Sequence, residues 1–292
     1  MTILQLNELS KQYKQQTVID HIDLTIEQQG IYALVGPNGV GKTTLLNCIC
    51  NIIPANSGAV NLLGQSNKSH HVFKHVAYLQ DNTILFHYLT GYDHLKFISD
   101  THRLPKKRIF EVADYVGMSD YLNKKVGDYS LGMKQHLLVA IALVNQPKLL
   151  IMDEPLTGLD PSSAIRIRKI LLDLDQKGTT IILSSHNLAE IDRVTNQILF
   201  LKDGKIIEIN RANHLETAYL FQLSDQDRAK QLLIDSGYNL LENATSLKVK
   251  IDEAQLDSCI QMLHNHGLSI LDLQKEVSGS EQLYQKYYGQ RG

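Results

Sequence analysis

The 292 residues carry 29 basic and 31 acidic side chains, a formal net charge of −2, and are 43% hydrophobic. That hydrophobic share can build a core and excludes global disorder, while the near-neutral balance leaves no electrostatic footprint for nucleic acid. The longest unbroken apolar run, Leu137–Val144, falls far short of the roughly 18 residues that cross a bilayer, and the opening "MTILQLNELSKQYK" lacks the charged-then-apolar layout of a secretion signal.

In chain order, "ILQLNEL", "VIDHIDLTI" and "IYALVG" within the first 35 or so residues read as strands, the last buried on both faces. A helix is expected over 42–52. From about 90 to 146 the pattern turns helical, with breaks at Pro105, Gly117 and Gly127. Inside it, Leu137, Ile141 and Val144 recur at helical spacing behind Ser130, which reads as a helix cap. "KLLIMDE" (148–154) and "TTIILSS" (179–185) return as apolar strands flanking a helix, and "ILFLKDGKIIEI" (198–209) sets Asp-Gly between two apolar runs, a hairpin signal. The result is a parallel α/β core with a helical insertion.

Past residue 212 the pattern resets. "AYLFQLS" is strand-like, "DQDRAKQLLIDSG" helical, "SLKVKI" a strand after the turn-prone "ENATS", "EAQLDSCIQMLHNHG" helical and "LSILDLQ" a last strand. The order suggests a small βαββαβ, ferredoxin-like α+β domain, with "SEQLYQKYYG" as one more short helix. The expected division is therefore 1–212, with its helical part at about 88–146, and 213–292. Cys48, Cys50 and Cys259 fit neither a disulfide framework nor a zinc pattern and are expected to be buried in a protein of the reducing cytoplasm. "SHHVFKH" (69–75) lacks carboxylates or cysteines at ligand spacing and is expected to be a solvated loop.

Two motifs carry the chemistry. "GPNGVGKT" (36–43) matches G-x-x-x-x-G-K-[ST] between a buried strand and a helix start, as a phosphate loop requires. Gly36, Pro37, Asn38, Gly39, Val40 and Gly41, with Lys42, Thr43 and Thr44 opening the helix, are expected to hold a nucleoside triphosphate. Backbone N–H groups wrap the β-phosphate, Lys42 reaches the β- and γ-phosphates, and the Thr43 hydroxyl ligates Mg2+. In "LLIMDEP" (149–155) a buried strand ends in two carboxylates, where parallel sheets place their ligand crevice. Asp153 would hold Mg2+ through water, and Glu154 would act as general base on the attacking water. "DYSLGMK" (128–134) leaves two readings open, a plain capped helix or an anion site that Gly132 lets the backbone approach.

Over residues 1 to about 212, the order phosphate loop, "YSLGMKQ", "LLIMDEP", "TGLD" (157–160) and "SSH" (184–186) resembles the ATP-binding cassette (ABC) ATPases. The resemblance implies a P-loop NTPase cassette with a parallel α/β core, an antiparallel β subdomain and a helical insertion. It implies that Tyr13 stacks on adenine, and that Gln80 in "AYLQD" touches Mg2+ or the attacking water and couples to the transport partner. Asp160 would communicate across a dimer, and His186 would contact the γ-phosphate. Ser130, Leu131 and Gly132 would face the ATP of a second cassette, in a homo- or heterodimer. The usual Leu-Ser-Gly-Gly-Gln signature stands here as Tyr129–Met133, a form similar to the cassettes of drug and antimicrobial-peptide exporters of bacitracin or lantibiotic type, and His136 replaces the usual arginine.

The cofactors implied are ATP and Mg2+. The job implied is the ATPase subunit of a bacterial exporter, cytoplasmic and held on the inner face of the membrane through an integral permease, with no nucleic-acid partner. A soluble ABC ATPase acting on DNA or the ribosome is the alternative. Such proteins usually carry a long coiled-coil insertion or a second cassette with a basic linker, and neither is present here. A nucleotide-dependent regulatory module is the remaining reading.

Overall fold

The computed structural model describes residues 2–80, 82–214, 217–241, 246–277 and 279–289. Contacts divide the chain into one unit of Met1–Asn210 with Tyr287–Gly292, and another of Arg211–Lys286.

The first unit opens with β1 (Leu4–Tyr13), β2 (Gln16–Ile26) and β3 (Ile31–Val35), followed by α1 (Lys42–Ile49), β4 (Ser57–Leu62), β5 (Gln65–Ser66) and β6 (Val76–Leu79). Three helices come next, α2 (Gly91–Thr101), α3 (Lys107–Val116) and α4 (Leu131–Leu143). The chain returns to the sheet with β7 (Leu149–Met152), α5 (Pro161–Gln176), β8 (Thr180–Ser185), the short α6 (Leu188–Ile191), β9 (Gln197–Lys202) and β10 (Lys205–Asn210). One sheet runs β2-β1-β4-β5, all antiparallel; the other runs β10-β9-β3-β8-β7-β6, parallel except for the β9–β10 hairpin. Leu149, Leu150, Ile151 and Met152 are fully buried, as a parallel strand covered on both faces demands. Asp203 and Gly204 both take positive φ, 49° and 76°, giving the tight turn that matches strand twist.

The helical expectation over 90–146 matches α2 to α4. Thr90 and Asp93 form a capping box on α2, and α3 stops at Gly117, left-handed at φ 76°. The helix expected behind Ser130 is α4, which is buried nearly all round from Gln135 to Leu143, with Ile141 its more open residue. The expected helix over 42–52 ends at Ile49, because Asn51 turns left-handed at φ 55°. The 69–75 segment is not a plain loop. Its His70–Lys74 form a 3-10 turn pinned by buried Val72, with His70, His71 and His75 exposed. All three cysteines are buried and free.

The second unit comprises β11 (Thr217–Leu223), α7 (Gln226–Asp235), β12 (Asn239–Leu241), β13 (Leu247–Lys250), α8 (Glu253–Asn265) and β14 (Ile270–Val277), with α9 (Ser280–Tyr288) starting in it. Its antiparallel sheet runs β12-β13-β11-β14, the ferredoxin-like order, over a core of Tyr219, Phe221, Leu233, Val249, Cys259 and Leu263. No sequence run announces β12, which forms by pairing with β13. The last strand starts two residues later than "LSILDLQ" and extends to Val277. Of the expected turn "ENATS", residues 242–245 lie outside the described residues.

Candidate functional site

Strands β3, β7 and β8 run parallel, so their carboxyl ends bring three distant segments to one edge. The phosphate loop leaves β3 at Gly36. Gly41, the N-terminal cap of α1, has φ 113°, and a Cβ there would lie 2.6 Å from Val18 Cγ1, so only glycine fits. Gly36 is buried, Pro37 and Val40 are half-buried and bonded to each other through Val40 N–H and Pro37 O at 3.3 Å, and Asn38 and Gly39 are exposed. Behind the loop Lys42 is buried at 6% exposure; its Nζ donates to Gly36 O at 2.8 Å and lies 3.5 Å from Glu154 Oε1. Burying an ammonium is costly without such partners. Thr43 is exposed and Thr44 half-buried on the first turn of α1.

Glu154 follows β7 in the left-handed region at φ 50°, uncommon for a residue with a Cβ. Its backbone N–H donates to Ser184 Oγ at 2.9 Å, and Ser184 Oγ donates to Asp153 Oδ1 at 2.5 Å. The other Glu154 oxygen, Oε2, accepts from His186 Nδ1 at 2.9 Å and from Thr157 Oγ1 at 2.8 Å. One lysine, two carboxylates and a histidine thus converge. Gln80 follows directly after β6, the neighbouring strand, where Asp153 N–H donates to Leu79 O at 2.9 Å, so its backbone lies beside this edge.

Other expected site residues stand apart. Among the described residues, Tyr13, Ser130, Leu131, Gly132 and Asp160 make no hydrogen bond or ion pair with Lys42, Asp153 or Glu154. Tyr13 is 46% exposed at the end of β1, with Lys11 Nζ 5.0 Å from its ring centre. Ser130 caps α4 by accepting from Met133 N–H at 3.2 Å, and Leu131 beside it is 43% exposed. Gly132 is pressed against α5, where a Cβ would collide with Ser163 Oγ. Asp160 caps α5, and the hydroxyls and N–H groups of Ser162 and Ser163 hold its carboxyl well below the usual carboxylate range. The signature segment and Asp160 therefore form one packed block.

Sequence reasoning had no role for Ser184, Thr157 or Ser163, which orient Asp153, Glu154 and Asp160. The one signal was their place within "SSH" and "TGLD" and just after it. The oxygens of Thr43, Gln80 and Asp153 are hard donors, too few to cage an ion but suited to Mg2+ shared with phosphates and water. Among the described residues no group of three or more His, Cys, Asp or Glu gathers at metal distance.

The departure at position 136 is also accounted for. His136 is buried, its Nδ1 is 2.8 Å from the Tyr121 hydroxyl, and its Nε2 has no partner. Burial first, then the Arg166 guanidinium, pushes its pKa below 6.5, with Asp160 opposing. Arg166 reaches across from α5, its guanidinium 3.4 Å from Val116 O. Because the unfolded chain takes up this proton more readily than the folded one, stability is full above pH 6.5 and is lost as pH falls towards the folded value. The loss cannot exceed about 1.4 kcal/mol per pH unit for one proton. Melting curves between pH 7.5 and 5.5 are expected to fall more steeply for the wild type than for His136→Gln, and equal slopes would refute this.

Comparison with known proteins identifies the family. The family model described as ABC transporter matches residues 19–157. The uncharacterized ABC transporter ATP-binding protein YhcH of Bacillus subtilis (strain 168) is 31% identical over 99% of this chain and 97% of its own length. The bacitracin transport ATP-binding protein BcrA of Bacillus licheniformis is 34% identical over 80% of this chain and 78% of its own. A solved ATP-binding subunit of an ABC transporter superposes with a TM-score of 0.66 at 25% identity, covering 73% of this chain and 91% of the other.

Proposed function

The chain belongs to the ABC transporter family of ATP-binding proteins, and from that premise we propose that it is the ATP-hydrolysing subunit driving a separate membrane permease in a bacterial exporter of drugs or antimicrobial peptides. The observation that carries the ATPase chemistry is the cluster of Lys42, Glu154, His186 and Asp153 at the carboxyl ends of adjacent parallel strands. Its lysine is buried, so the triphosphate charge it would meet is little screened.

In this reading an entering triphosphate draws Lys42 Nζ from Gly36 O and from Glu154 onto phosphate oxygens. Glu154, held by His186 and Thr157, then accepts the proton of the attacking water, and His186 orients that water against the γ-phosphate. Asp153, held by Ser184, with Thr43 and Gln80, would bind Mg2+, whose charge offsets that of the phosphates. Tyr13 takes the adenine, with the Lys11 contact as its resting partner. Ser130, Leu131 and Gly132 stand outside their own chain's cluster, which supports a second cassette, homologous or identical, whose ATP they complete. Asp160 lies in the same block and would couple the two sites.

Among the described residues no helix is long and apolar enough to cross a membrane. Beyond Gln80, Ile84 (42%), Phe86 (55%), Tyr88 (70%) and Phe97 (70%) are exposed at the start of the helical part, an apolar surface fitted to a permease's cytoplasmic segment. A peptide or drug as cargo draws on the likeness to BcrA, named for bacitracin transport, and export rather than uptake draws on the similarity of the Tyr129–Met133 segment to exporter cassettes. The test is affinity purification from detergent-solubilised membranes, followed by reconstitution. An integral membrane protein should be retained, should change the ATPase rate in vesicles, and should be lost with Phe86→Asp/Tyr88→Asp. Retention of ribosomes or DNA instead would overturn the reading.

A further inference from the structure

Gly36 is hemmed in although its φ lies outside the left-handed region. A Cβ there would lie 2.7 Å from Val40 Cγ1, 3.1 Å from Leu201 O and 3.2 Å from the Tyr288 hydroxyl. Tyr288, grouped with the first unit, donates this hydroxyl to Leu201 O at 2.6 Å and lies 3.4 Å from Val35 O. Leu201 follows Phe200, which pairs with Val35 in the β3–β9 ladder, so the hydroxyl sits where the ladder ends and the phosphate loop begins. The ring is held as well as the hydroxyl. Fully buried Phe200 meets the rings of Tyr287 and Tyr288 at 5.3 and 6.0 Å. On the other side of the same glycine, Gly36 O accepts from Lys42 Nζ at 2.8 Å.

We infer that Tyr288 is a positioning residue for ATP binding: its hydroxyl fixes the Val35–Gly36 junction and with it the direction in which the phosphate loop presents its N–H groups and Lys42. Loop geometry set before the nucleotide arrives spares ordering on binding, so the residue acts on affinity and not on the chemical step. None of the phosphate-loop motif encodes this contact, since Tyr288 lies about 250 residues away in sequence. The inference rests on the loop binding ATP and is independent of what is transported.

Removing one hydroxyl that bonds a backbone oxygen should raise the ATP Kd and KM about 3- to 10-fold. The experiment compares the wild type with Tyr288→Phe and Tyr287→Phe in the full chain, by calorimetric titration of ATP, steady-state hydrolysis and thermal melting. Tyr288→Phe keeps the ring against Phe200 and should raise Kd and KM together while kcat stays within about 2-fold and the melting point barely moves. Tyr287→Phe, which leaves the Tyr288 hydroxyl in place, should leave the ATP Kd and KM unchanged. Wild-type affinity in Tyr288→Phe would overturn the assignment, as would a lowered melting point with unchanged KM. Failure of the transport reading would leave both variants' ATP titrations untouched, so the two can be told apart.

Discussion

ATP turnover is expected to fall about 10³-fold when Glu154 is replaced by glutamine, with the triphosphate still bound. Glutamine keeps the volume of Glu154 and an oxygen for the Thr157 hydroxyl, and its backbone N–H still reaches Ser184 Oγ. What disappears is the charge that can take a proton from water. That charge now lies 3.5 Å from Lys42 Nζ, so its removal also frees the lysine for phosphate, and ATP affinity should hold or rise. Single-turnover hydrolysis with radiolabelled ATP, beside size-exclusion chromatography to look for an ATP-trapped dimer, checks both halves. Hydrolysis at the wild-type rate would remove Glu154 from the role of base.

Ser130→Arg should lower hydrolysis by at least about 10²-fold while ATP binding to the separate chain changes little, because Ser130 touches nothing in its own Lys42–Glu154 cluster. The stability cost is that of one lost cap, about 1 kcal/mol, too small to unfold the protein. Ser130→Asp separates the two functions of this residue. Aspartate caps helices well, so the fold should be fully kept, but it would set a carboxylate against a partner's γ-phosphate. Sedimentation in a Glu154→Gln background, where a closed dimer would accumulate, should show both Ser130 variants as monomers. Normal ATPase activity in Ser130→Arg would return this segment to being a cap and nothing more.

The chemistry that depends on near neighbours was legible in the residues themselves. Gly41 and Lys42 sit at a helix start, "LLIM" is a strand buried on both faces, and Asp203-Gly204 is a tight turn, each for reasons that span a few bonds. Ser130 as a cap was equally local. What was not legible has one common cause. Strand β12 is three residues long and owes its existence to β13, the near-complete burial of α4 is imposed by its neighbours, and the 69–75 segment forms a turn and not a loop because Val72 is buried. Burial and pairing are supplied by the rest of the molecule, and periodicity in one segment cannot contain them.

What the sequence alone determined was therefore the inventory: a phosphate loop, a carboxylate pair at a strand end, a capped signature helix and a second α+β unit, with three of its four strands readable as runs. The tertiary structure decided which atoms of that inventory meet. Parallel pairing of β3, β7 and β8 sets Glu154 between Lys42 and His186, and gives Ser184 the task of holding Asp153. Burial of His136 beside Tyr121 with the Arg166 charge near it, and the Tyr288 hydroxyl at the root of the loop, come from residues outside each local segment. Hydrogen bonds act over about 3 Å, and only the folded chain brings positions 15, 31, 32 and 87 residues apart within that reach.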